Sequence, residues 1–300
     1  MEQLSMPLLG IALAVASAIA LAVGNLLQAR GVQAMEALVE TDGAHGSKAG
    51  NLVRNRFWLI GALLLGVAIL LQMGSLTFAP LMVVQPIGVT ALVVTALVTA
   101  IIAHRAPSKQ VVRAIAVCVI GVAGFVTVAA LVSTQQPITD QQLVAVLIVL
   151  AVVLAMTGAV WYLGRHRRTP PVLWVLLGGI YSAFVATLGK TVILRVQAAL
   201  QSGGLTWDLA NLLTIVCIIG IGAAGGLSVY FVQRAHASNR PEVVVAGLTV
   251  VDPAVAVVLG IAILGEASTA PPWAFVAFIV AGAIAIGGVF ALSKAESVPR

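Results

Sequence analysis

Residues 82–103 read MVVQPIGVTALVVTALVTAIIA, a run with no Lys, Arg, Asp or Glu in it. At 1.5 Å of rise per residue, about twenty helical residues cross roughly 30 Å of hydrocarbon, and this run is long enough to do so. It lacks the alternation of apolar and polar side chains that marks a strand of a transmembrane barrel. In lipid every backbone N–H and C=O must find its partner within the segment or a closed sheet, so the run predicts a transmembrane helix.

Working outward from it, the same reading gives nine spans: Pro7–Ala29, Phe57–Phe78, Met82–Ala103, Val111–Val132, Leu143–Leu163, Val172–Leu194, Leu212–Val232, Val243–Leu264 and Trp273–Leu292. Between them fall polar or Pro-bearing breaks: Thr77 to Pro80, Arg105 to Lys109, Ser133 to Gln142, Arg165 to Arg168 before Pro170 and Pro171, and Gly265 to Pro272. The longest, Gly31 to Arg56, mixes Glu36, Glu40, Asp42, Lys48, Arg54 and Arg56 and is expected to be a solvated loop. The residues before Pro7 carry no Lys or Arg, unlike a cleaved leader, so the first span is expected to be permanent.

The whole composition agrees. Hydrophobic residues make up 61% of the chain and charged residues 9%, against about 25% charged in an ordinary soluble domain. A net charge of +6 raises the question of nucleic acid. Its basic residues sit in short clusters between apolar runs, however, where they set membrane orientation, and no nucleic-acid partner is expected. Cys118 and Cys217 lie inside apolar spans without metal-ligand spacing, which assigns them to packing.

Nine spans place successive loops on alternate sides. All but Arg195 and Lys190 of the 16 Lys and Arg then fall on one side, with Arg195 on the other and Lys190 within a span. By the positive-inside rule the amino terminus is outside and the carboxyl terminus cytoplasmic, in a multi-pass protein of the cytoplasmic membrane. One span missed or invented would scramble the assignment of every later loop, so the asymmetry supports the span count as well.

Spans one and six align with a constant offset: Leu8 with Leu173, Ser17 with Ser182, Ala18 with Ala183, Gly24 with Gly189, Arg30 with Arg195. Spans three and eight each carry a polar residue before proline, Gln85-Pro86 and Asp252-Pro253, at nearly the same offset. Copies separated by an odd number of spans face opposite ways. The expectation is therefore an all-α bundle of two inverted repeats, residues 1–135 with four spans and residues 136–300 with five, the architecture that lets a central site open to either side.

Polar residues within the spans mark the candidate site. Asp252 falls near the midplane and Lys190 roughly 9 Å from it at 1.5 Å per residue. A charge at such depth costs about 2.5 to 3.5 kcal/mol on insertion scales, so both are expected to face the bundle interior and to pair. The competing reading is a structural ion pair or a snorkelling lysine. Asn25, Gln28, Gln72, Gln85, Tyr181, Ser182 and Gln233 accompany them, and each taken alone is as readily a bridge between helices as a ligand contact. Pro86 and Pro253 remove backbone donors and are expected to break their helices or to kink them. Gly222 and Gly226 form a small-xxx-small pattern expected to pack against another helix.

The stretch GSLTFAPLMVVQPIGVTAL, Gly74 to Leu92, resembles the signature of the NIPA-type magnesium transporters within the drug/metabolite transporter superfamily, which also holds the EamA-like transporters. GNLLQARG at Gly24 to Gly31 is similar to the end of that family's first helix, and RFWLIG at Arg56 to Gly61 keeps its order. Lys190 stands where the family has an intramembrane lysine, and Ala235 to Pro253 followed by Leu264-Gly265-Glu266 resembles the superfamily's broken helix and closing Leu-Gly-Glu. Near Arg105 the chain departs from the family, which has a glutamate there. The resemblance implies a drug/metabolite-type bundle and transport across the membrane, with magnesium as one substrate. Mg²⁺ prefers oxygen ligands and retained waters, and Lys190 with Asp252 makes a poor cage for it.

The sequence thus predicts a secondary carrier, not an enzyme, that moves a small polar or amphiphilic solute by alternating access with no cofactor. The predicted substrate site is Asn25, Gln28, Gln85, Pro86, Tyr181, Ser182, Lys190, Asp252 and Pro253. Lys190 is expected to contact substrate or switch between substrate and Asp252, and Asp252 to carry a coupling proton. A membrane enzyme would show an acidic metal cluster or a nucleophile beside a base, and Glu36 to Asp42 has no histidine nearby beyond His45. A non-transporting accessory subunit is the alternative outside transport. The partners expected are the bilayer and a small-molecule or ion substrate, and a homodimer is left open.

Overall fold

The computed structural model describes residues 7–42, 55–102, 108–134, 138–163, 170–201, 209–239 and 241–296. These residues form helices and no strand: α1 (Pro7–Asp42), α2 (Arg56–Phe78), α3 (Leu81–Gly88), α4 (Thr90–Ile102), α5 (Lys109–Val132), α6 (Asp140–Leu163), α7 (Pro171–Gln201), α8 (Leu209–Ser238), α9 (Pro241–Ala262) and α10 (Pro272–Glu296). Among the described residues nine stretches are long and apolar enough to cross a membrane, and they coincide with the spans read from sequence to within a few residues. The chain is an all-helical, multi-pass membrane protein. Large apolar side chains such as Leu8, Leu63, Leu70, Ile120 and Ile279 are exposed around its outside, as lipid-facing positions must be.

The structure separates the two proline-bearing spans and corrects the reading of the first loop. The third span is two helices: Pro86 lies inside the first, and the interruption falls three residues later, at Val89. The chain tightens there into three-residue turns, with Val89 N–H donating to Pro86 O at 3.2 Å and Leu92 N–H to Val89 O at 3.1 Å. Pro253, by contrast, lies within an uninterrupted α9. The segment after Gly31 is not all loop either: α1 runs on to Asp42, through a stretch with no Gly or Pro and several strong helix formers. Residues 43–54 of that loop, residues 103–107 of the basic turn and the run Arg165 to Arg168 lie outside the described residues.

Helix pairing is specific. Antiparallel α1 and α2 exchange hydroxyl bonds, Ser17 Oγ to Ala68 O and Ser75 Oγ to Gly10 O, both 2.8 Å. Helices α7 and α8 pair likewise, with Ser228 Oγ donating to Gly178 O at 3.0 Å. Helices α5 and α10 cross so closely that a Cβ at Gly121 would collide with the backbone of Ala285, and one at Gly288 with that of Cys118. Helix α9 runs parallel to α7, with Gly247 against Val175 and Gly179 against Val251. The short α3 is buried from Leu81 to Ile87, among α1, α5 and α9. Cys118 and Cys217 are buried, as packing residues should be. Gly222 and Gly226 correct the sequence reading: both are exposed, and no described atom of another helix lies within 4 Å of where their Cβ would be.

Candidate functional site

Two features stand out inside the bundle. They are an ion pair at the end where α2 finishes and α3 begins, and a polar cavity deeper in.

The ion pair joins Lys190 on α7 to Glu266, in the turn after α9. Nζ lies 2.5 Å from Oε1, and both side chains are buried. The carboxylate also accepts two backbone bonds at the start of α3, from Leu81 N–H to Oε1 at 2.7 Å and Met82 N–H to Oε2 at 2.8 Å. These are donors that a helix N-terminus leaves without intrahelical partners, and the helix dipole favours an anion there. A lysine, a helix start and a turn are thus tied through one carboxylate.

The local fold brings Glu266 in. Gly265 has φ 69°, a left-handed conformation that favours glycine, and it reverses the chain after α9. Glu266 N–H then returns to Gly260 O at 3.1 Å. Gly260 leaves room for the carboxylate, since a Cβ there would fall 2.8 Å from Oε2. Thr134, just past α5, and Gln142, in the first turn of α6, hold this turn, with Thr134 N–H on Glu266 O at 2.9 Å and Gln142 Nε2 on Leu264 O at 3.0 Å. On the same end Arg195 pairs with Asp140. Among the described residues, these contacts tie that end of the bundle together.

The cavity, of about 430 Å³, lies among α1, α2, α3, α4 and α9. Its polar lining is Ser17, Asn25, Gln72, Gln85, Thr95, Thr249 and Asp252. Asp252 is fixed from α7, whose Ser182 Oγ donates to Oδ2 at 2.6 Å. Oδ1 is buried and has no hydrogen-bond partner among the described residues. A carboxylate is thus held in position with one oxygen uncommitted.

Of the nine residues predicted from sequence, the structure gathers Asn25, Gln85, Asp252 and Pro253 on the cavity wall and Ser182 just behind it. Pro86 lines an adjoining apolar cavity instead. Tyr181 points elsewhere, its hydroxyl donating to Thr157 Oγ1 at 2.9 Å and its ring stacked on Phe231. Gln28 packs where α1 meets α2 at Gly61, and Gln233 is exposed. The expected pair of Lys190 with Asp252 does not form, because Lys190 sits on Glu266. Sequence reasoning assigned Glu266 to a loop and so missed it, although Leu264-Gly265-Glu266 was a usable signal.

No model of a known protein family matches the chain, and no solved structure does. A stretch of 113 residues is 26% identical to a protein of Candida albicans described as a probable magnesium transporter; the match covers 38% of this chain and 30% of that protein's length.

Proposed function

We propose that this protein is a secondary carrier of the drug/metabolite type that moves a small polar or amphiphilic solute by alternating access, with the Asp252 cavity as its substrate site. The observation that carries the reading is the combination of a buried, half-satisfied carboxylate in a polar cavity with a buried ion pair, Lys190 and Glu266, that ties one end of the bundle. A purely structural bundle has no use for an orphaned carboxylate oxygen inside a membrane.

On this reading residues 1–135 and 136–300 are inverted repeats. The pairing of helices supports it: α1 with α2 mirrors α7 with α8, α1 with the third span mirrors α7 with α9, and α5 meets α10 as its own counterpart. The sequence offset that aligns Gly24 with Gly189 also aligns Asn25 with Lys190. One copy of the position carries a buried ion pair, while the other carries an exposed amide on the cavity wall. Closure at the lysine end and access at the asparagine end is the asymmetry expected of one state of an alternating carrier. The basic end faces the cytoplasm of a cell with the chain in its cytoplasmic membrane, and Asp252 is the site's coupling group.

Flux across reconstituted vesicles tests this. Solute uptake should depend on the imposed pH gradient and fall to background in Asp252→Asn. Normal flux in that variant would refute the assignment.

A second reading, magnesium transport, is favoured by the similarity to the Candida protein. Against it stands the supply of ligands: among the described residues no group of three His, Cys, Asp or Glu could hold a metal ion. Mg²⁺ would have to keep most of its water and lean on one carboxylate and neutral amides. The same vesicles, loaded with a magnesium-sensitive dye, decide between the two.

A further inference from the structure

A cavity of about 750 Å³ lies among α6, α7 and α8 and shares no lining residue with the Asp252 cavity. On α6 its wall is Leu154, Gly158 and Trp161, and on α8 it is Leu227, Tyr230 and Arg234. Both sets recur at three or four residues, so each is one helix face followed for two turns. The cavity is therefore a groove running along the helices, roughly 10 Å long at 1.5 Å per residue. Trp161 and Tyr230 on its rim are exposed, so it opens to the lipid around the bundle.

The two ends of the groove differ. Its deep end is carbon, and its floor is the buried Tyr181, whose hydroxyl is spent on Thr157. The other end holds Arg234, in the last turns of α8. The guanidinium carbon lies 5.5 Å from the ring centroid of Trp174 and 5.8 Å from that of Tyr230, and Nε donates to the Tyr230 hydroxyl at 3.3 Å. Among the described residues the two terminal nitrogens have no hydrogen-bond partner, and the guanidinium has no carboxylate. Rings restrict a guanidinium without using those nitrogens, and its fork binds phosphate through two parallel N–H···O bonds.

Trp and Tyr gather where a membrane meets water, the level at which lipid phosphates lie. A free phosphate would use the arginine and leave the groove empty. An acyl chain fills it, since an unfilled apolar space forfeits the dispersion contacts of its walls.

We propose that this groove binds one anionic phospholipid, with its phosphate on the terminal nitrogens of Arg234 and an acyl chain lying past Gly158 and Leu227 toward Tyr181. The ligand is a fixed lipid, not the solute, and the site stands apart from the Asp252 cavity. On the orientation proposed above it belongs to the cytoplasmic leaflet, whose anionic lipids give that surface its negative potential.

Native mass spectrometry of the detergent-purified, full-length protein tests this, using phosphatidylglycerol and phosphatidylcholine with the same acyl chains. Their phosphates are alike, but in phosphatidylcholine the choline cation already offsets the charge. The wild-type protein should retain a single phosphatidylglycerol about fivefold more tightly than phosphatidylcholine, the ratio that about 1 kcal/mol from one interfacial arginine gives. Arg234→Gln should bring the two lipids level. Arg56→Gln, which changes an arginine resting on Phe57 outside the groove, should keep the preference. Gly158→Leu puts a side chain into the groove where nothing lies within 4 Å, and should weaken both lipids. Equal retention of the two lipids by the wild-type protein overturns the proposal without reference to any variant. A preference that survives Arg234→Gln also overturns it. So do saturation by soluble glycerol phosphate, which would make the ligand a free phosphate, and loss of the lipid on dimerisation, which would make the occupant a second copy of the chain.

Discussion

Lys190 Nζ and Glu266 Oε1 lie 2.5 Å apart, with both side chains out of solvent. The pair joins α7 to a turn, and the same carboxylate closes the start of α3. Breaking such a pair from one side leaves a buried charge uncompensated, at a cost of about 3 to 5 kcal/mol. Lys190→Met should therefore lower the melting temperature of the detergent-purified protein markedly. In the double variant with Glu266→Gln, the residual carboxylate charge is gone while an oxygen remains for the α3 amides. The double variant should melt above Lys190→Met, and strictly additive losses would show that the two residues are not coupled.

Two glycine positions give opposite expectations for the same substitution. Gly121 faces the Ala285 backbone where α5 crosses α10, whereas Gly222 faces open space on α8. Gly121→Leu should force the helices apart, at about 1 to 3 kcal/mol or more. Gly222→Leu should fall within about 0.5 kcal/mol of wild type. Melting curves in one detergent compare the two directly, and a large loss at Gly222 would reveal a packing partner on that face.

The contrast shows where sequence is legible. Span positions follow from length and apolar content, which lipid enforces residue by residue, so Trp273–Leu292 and its eight counterparts were visible at once. The direction each helix turns was not. These helices are apolar all round, and no polar stripe fixes which face meets a neighbour. Asp252 and Gln85 could be placed because buried polarity must point inward, but Tyr181 and Gln28 lie on helices where either face was equally apolar. Glu266 was hidden for another reason. Its position depends on a left-handed Gly265 and on the space at Gly260, both of them tertiary facts behind an ordinary turn sequence.

Access to the cavity gives a third expectation. Asn25 is exposed on its wall, while the turn carrying Glu266 is covered by Thr134 and Gln142. With Cys118 and Cys217 replaced by serine, Asn25→Cys should react with a membrane-impermeant thiol reagent applied from the side of Arg56 and Lys109. Ala267→Cys, at a buried position beside the pair, should be protected from both sides. Labelling of Asn25→Cys only from the opposite side would reverse the proposed direction of opening.

The bond from Ser182 to Asp252 links α7 to α9 and fixes the carboxylate on the wall of the cavity. Its loss tests orientation without removing charge. Hydrogen bonds to charged groups contribute about 1.5 to 3 kcal/mol, so Ser182→Ala should weaken half-saturation of vesicle uptake by about tenfold or more. Ser182→Thr keeps the hydroxyl and should restore most of the affinity. A purely structural bond would instead lower the melting temperature and leave half-saturation unchanged in the protein that remains folded. Uptake with equal half-saturation in Ser182→Ala and wild type would therefore detach Asp252 from the substrate, and the cavity would need another occupant.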